Sequence, residues 1–88
     1  MGDLEEILEF LQMLSEDRRI PRNVRSMINE ALAEIKSNEE ESLKTRITTA
    51  ISILDEASND QNLQQFSRTE IWNVIGMLET FIQQMDEE

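Results

Sequence analysis

The sequence contains no cysteine, no histidine and no tyrosine, and each absence removes a class of chemistry. Without cysteine there is neither a disulfide framework nor a thiol nucleophile, which fits a reducing compartment, so a cytoplasmic location is expected. Without histidine the commonest general base and metal ligand are missing. Glycine is nearly absent as well: Gly2 and Gly76 cannot form a phosphate-cradling loop. Carboxylate pairs such as Glu5 with Glu9 and Glu30 with Glu34 lie one helical turn apart, but the Glu-x-x-His element of dinuclear bundles cannot be built. These pairs are read as a solvated acidic face. The chain is expected to be no enzyme and to carry no cofactor and no metal.

Positive charge is scarce. Eight Lys and Arg stand against 19 Asp and Glu, for a net charge of −11. Such a balance repels nucleic-acid phosphates and anionic membrane surfaces over a Debye length of about 8 to 10 Å. Long apolar runs are missing too, which excludes a membrane span within this sequence. A single domain over residues 1–88 is expected, because a chain this short has no material for a second core.

What is present is periodic. Shifted by 43 positions, Leu11, Ser15, Asp17, Arg25 and Ile28 fall on Leu54, Ser58, Asp60, Arg68 and Ile71, and the apolar residues Leu4, Leu8, Ile20, Leu32 and Ile35 fall on Ile47, Ile51, Leu63, Ile75 and Leu78. The sequence reads as two copies of a helix-corner-helix unit. Four helices are predicted, over about 3–16, 21–37, 39–58 and 67–85, from apolar residues at steps of three and four. Asp3 with Glu6 is read as the cap of the first helix, and Pro21 as the fixed-φ residue that opens the second. The second is expected to stop near Ser37 or Asn38. Glu39, Glu40, Glu41 and Ser42 are read as the opening of the third, with the acids against its positive end. Ser67, Glu70, Phe66 and Ile71 are read as a capping box and staple for the fourth. The expected core is Leu8, Leu11, Ile28, Leu32, Ile47, Ile51, Leu54, Ile71, Ile75 and Leu78.

Two groups of residues stand out as candidate interaction sites. Arg18, Arg19, Arg22 and Arg25 are half of all basic residues and fall within eight positions. Arginine's planar fork suits phosphate or carboxylate. Because Arg25 and Arg68 recur together with Asp17 and Asp60, structural salt bridges at the two corners are expected for these four. That leaves Arg18, Arg19 and Arg22 as the candidate contact residues. The second group is on the last helix, where Trp72, Met77 and Phe81 extend the apolar surface beyond the ~100° that one bundle face requires. Deep burial or contact with another chain would account for it, and a homodimer through this helix is expected.

The stretches from Arg19 to Arg25, from Ile51 to Asp60 and from Arg68 to Val74 resemble a small uncharacterised archaeal protein family of about this length. The resemblance covers nearly the whole chain. It implies an up-and-down four-helix bundle, a proline where this sequence has Gln64, and no assigned activity or cofactor. The fold class expected is therefore all-α: an antiparallel up-and-down four-helix bundle built from two similar hairpins. A two-repeat HEAT or armadillo solenoid also matches the 43-residue period, but it would leave an uncovered apolar flank at each end. The function expected is that of a non-enzymatic protein-protein interaction module, with a nucleic-acid- or ribosome-associated factor using the arginines at 18–25 as the alternative.

Overall fold

Asp3 sits in extended backbone, at φ −87° and ψ 166°, and its carboxylate accepts the Glu6 amide at 3.0 Å, which satisfies one of the free donors at a helix start. The helix it opens, α1 (Leu4–Ser15), turns Ile7, Leu11 and Leu14 into the core. It is followed by α2 (Arg22–Ser37), α3 (Leu43–Ala57) and α4 (Gln65–Asp86). The structure, a computed structural model, describes residues 3–37 and 39–86, and among these there is no strand. Asn38, one of the two expected stops of α2, lies outside the described residues.

Two predicted helix starts are corrected. α3 begins at Leu43, not at Glu39, because Ser42 provides a better cap than the acids before it: its hydroxyl accepts the Thr45 amide at 3.2 Å. Glu39 to Glu41 are exposed and lie ahead of the helix. α4 begins at Gln65, two residues before the predicted cap. The Arg68 amide donates to the Gln64 carbonyl at 2.9 Å, so the first turn is already closed when the chain reaches Ser67. Ser67 is buried inside the helix with an unpartnered hydroxyl, one Glu70 carboxylate oxygen is likewise buried and unpartnered, and Phe66 is exposed, so neither the capping box nor the staple forms.

The two corners close with matching bonds. In the first, Ser15 Oγ donates to the Gln12 carbonyl at 2.7 Å and the Arg19 amide to Asp17 Oδ1 at 2.9 Å. The second has Ser58 Oγ on the Asp55 carbonyl at 2.7 Å and the Asn62 amide on Asp60 Oδ1 at 2.8 Å. In both, an aspartate carboxylate takes the amide two residues on and bends the chain locally. Entry to the next helix matches too: the Arg25 amide donates to the Pro21 carbonyl at 2.9 Å, as Arg68 does to Gln64. Gln64 thus makes the bond that Pro21 makes, since only the carbonyl is needed there.

Seven of the ten predicted core residues are buried, while Leu8, Ile51 and Ile75 are half-buried against the core's edge. The remainder of the core comes from residues such as Ile7, Ile20, Val24, Ile35, Leu63 and Val74. Ile20 and Leu63 plug the two corners. Each helix packs on its chain neighbour and α1 packs on α4, whereas no Cα atoms of α1 and α3, or of α2 and α4, lie within 8 Å of each other. The Cα radius of gyration is 12.4 Å, against about 12 Å expected for a compact chain of this length.

Candidate interaction surface

Arg19 is the member of the arginine cluster that the fold engages. Its Nε and Nη2 donate to Asp17 Oδ1 and Oδ2 at 3.1 and 2.8 Å, a two-point fork on the carboxylate. That guanidinium, helped by the Arg19 amide, holds the Asp17 carboxyl below its ordinary value, and Asp17 in turn raises the arginine. The guanidinium carbon also lies 5.2 Å from the centre of the Phe66 ring, so the first corner is linked to the start of α4. Arg18 and Arg22 are exposed and have no hydrogen bond or ion pair to any described residue.

The expected corner salt bridges do not form. Asp17 pairs with Arg19, which reaches it within one turn, and Arg25 acts on Asp17 only through its field. Arg25 is half-buried and its Nε has no partner. The Asp60 carboxylate accepts from the Asn23 side chain at 2.7 Å and not from Arg68. The Arg68 guanidinium instead donates to three backbone carbonyls: Ser58 at 2.7 Å, Asp60 at 2.9 Å and Leu63 at 3.2 Å. Past the end of α3 the carbonyls of the corner are not taken up by a helix ladder, and together they offer a fork more acceptors than one carboxylate that already has partners.

Of the acidic pairs, Glu5, Glu9 and Glu30 are exposed, whereas Glu34 is half-buried. Glu5 and Glu9 flank a shallow groove with Leu8, Gln12 and Lys36, and among the described residues no three acidic side chains cluster in a way suited to hold a metal ion. No helix among the described residues is long and apolar enough to cross a membrane.

The larger concavity is a groove of about 450 Å3 along the seam of α1 and α4. Met77, Phe81 and Ile7 supply its apolar wall, Gly76 lies on its margin, and Asn73, Thr80 and Gln84 its polar edge. Met77 and Phe81 are half-buried, packed on the core and still open to the groove. Trp72, 50% exposed, stands on the far side of α4 from Phe81, since nine residues turn a helix through about 180°. It is therefore not core. Met13 and Phe66 are also exposed, at 60% and 58%. The exposure of Phe66 was not legible in the sequence, because the residue stacked on it, Arg19, lies far away along the chain.

Gly76 is conspicuous in the middle of a 22-residue helix. Glycine there costs about 1 kcal/mol relative to alanine, and a Cβ at this position would meet no atom within 4 Å. Nothing inside the chain requires the missing side chain. From residue 71 to 85, α4 carries a single charge, Glu79, on a molecule of net charge −11.

Among solved structures, the chain is similar to the crystal structure of the unknown-function protein MMP1188, at 39% identity with a TM-score of 0.81, covering 88% of this chain and 86% of that one. It is also similar to the crystal structure of a protein from Thermoplasma acidophilum, at 38% identity with a TM-score of 0.80, covering 86% of this chain and 88% of that one. A protein of Methanosarcina mazei is 42% identical over 77 residues, which is 88% of this chain and 82% of that protein. The model of the uncharacterised protein family UPF0147 matches residues 1–81. With these archaeal relatives matched over most of their length, the chain belongs to the UPF0147 family.

Proposed function

We propose that this member of the family is a cytoplasmic, non-enzymatic protein-protein interaction module that works through the seam of α1 and α4, without cofactor or metal. The scaffold of this reading is an antiparallel up-and-down four-helix bundle, made of two similar hairpins in one domain. Bonds between helix ends support that arrangement. Lys44 at the start of α3 pairs with Asp86 at the end of α4 at 3.0 Å, and Arg46 Nη1 donates to the Ile35 carbonyl near the end of α2 at 2.8 Å. The matched corner bonds support the two hairpins.

The observation that carries the functional reading is the apolar groove whose lining includes no charged residue. A half-buried phenylalanine and methionine around open space are what a partner's side chains displace water from. The test is capture of partners from an archaeal lysate by the wild-type chain and by a Met77→Asp, Phe81→Asp variant, at about 50 and 500 mM salt. Partners held equally at both salts and lost with the variant, while circular dichroism is unchanged, are expected. Capture that ignores the variant would end the reading.

A second reading rests on Arg18 and Arg22, exposed and unpaired among the described residues: a nucleic-acid- or ribosome-associated factor that puts these arginines on phosphate. It predicts affinity that falls steeply with salt. Loss of captured RNA on Arg18→Ala, Arg22→Ala would favour it.

A further inference from the structure

We infer that the occupant of this surface is a second copy of the chain, paired about a two-fold axis near Gly76 with each Trp72 laid toward the other copy's groove. This rests on the reading of the α1-α4 seam as an interaction surface and names its partner. Three independent features converge on α4.

The first is charge. A cationic partner of an acidic protein is met with acidic residues, which steer it and fix its register. Here the opposite holds: the groove lining contains no charged residue, and Glu79 is the one charge between 71 and 85. Two chains of −11 each repel one another least where neither presents charge. This strip is such a place.

The second is Gly76. Its open position has no explanation within the chain, because a side chain would fit there without contact. A helix tolerates glycine for close approach of another backbone, and the approaching backbone has to come from outside. At a two-fold axis the Gly76 of one copy meets the Gly76 of the other, so the absence of both side chains adds up.

The third is the placement of Trp72. It stands one helical turn before Gly76, half exposed, while the groove opens on the other flank of the same glycine. A symmetric pair repeats every contact twice. One flank's indole and the other flank's Met77 and Phe81 then become complementary surfaces instead of two separate exposed patches. Interfaces that carry their energy in buried aromatic anchors have this composition.

The experiment is sedimentation of the full chain from about 10 to 500 µM at about 50 and 500 mM salt, with Trp72 emission followed in the same samples. The expected result is a dimer that grows with concentration, is tighter at high salt, and shifts the indole emission to the blue as it forms. Gly76→Ala is the decisive variant. It should raise the melting temperature of the dilute monomer, since alanine favours helix, yet weaken the dimer at least about tenfold. A folding defect could not produce that pair of effects. A monomer at every concentration and both salts overturns the inference, as does a Gly76→Ala dimer as tight as the wild type. The interaction-module reading fails separately. A strictly monomeric chain whose partner capture still depends on Met77 and Phe81 keeps that reading and removes only the second copy.

Discussion

Replacing Arg68 by alanine removes one side chain that holds three carbonyls of the second corner. Its Nε and Nη2 donate to Ser58, Asp60 and Leu63, and Nη1 reaches the Gln65 side chain at 3.1 Å. A hydrogen bond to a charged group contributes about 1.5 to 3 kcal/mol net. The corner is only partly buried and the bonds share one donor group, so the total is well below three times that value. A loss of about 2 to 4 kcal/mol is expected, or about 10 to 25 °C in melting temperature for a chain of this size. Arg68→Lys should recover about a third, because an ammonium can satisfy one carbonyl but not the fork. The internal control is Arg25→Ala, at the equivalent place in the first corner, where Nε has no partner. It should cost at most about 1 kcal/mol. Urea unfolding of the three variants, with circular dichroism as the signal and the slope checked for constancy, measures this. If Arg25→Ala and Arg68→Ala cost the same, or if Arg68→Lys behaves as wild type, the carbonyl clamp does not hold the corner.

Further outcomes follow from the same structure. Ser67→Ala should be neutral or stabilising by about 0.5 to 1 kcal/mol, since it replaces an unpartnered buried hydroxyl with a better helix former; a loss near 1 kcal/mol in thermal unfolding would restore the capping reading. Ile71, fully buried, should cost about 2 to 5 kcal/mol as alanine in urea unfolding. Asp17, whose folded pKa is lowered chiefly by its hydrogen bond from Arg19, binds fewer protons folded than unfolded, so its contribution is complete above the ordinary carboxylate range. It is lost as pH falls below about 4 toward the folded value, and the stability gap between wild type and Asp17→Asn, measured by urea unfolding against pH, should close there and not at higher pH.

Much of the fold was legible because it depends on neighbours within four residues. The cap at Asp3, the opening of the second helix at Pro21 and the apolar stripes of four helices are each written in one short stretch. The 43-residue correspondence places Asp17 and Asp60, and the matching amide bonds at both corners follow, since each carboxylate reaches only two residues ahead. Ser67 shows where local reading ends. Its sequence context is that of a cap, yet the backbone bond from Arg68 to Gln64 closes the helix earlier and leaves the hydroxyl buried.

Partner choice and exposure were decided by tertiary structure alone. Asn23 meets Asp60 across 37 residues and Lys44 meets Asp86 across 42, and no pattern within either stretch marks these pairs. The same holds for Arg19 on Phe66, whereas Arg68 took carbonyls in its own corner, a choice set by how the backbone turns there. Apolar surplus on α4 was visible in the sequence, but which of its residues would be half-buried and which would stand in water depended on where α1 and α3 came to rest. A helix reports its own periodicity; the angle at which its neighbours cover it is a property of the packed molecule.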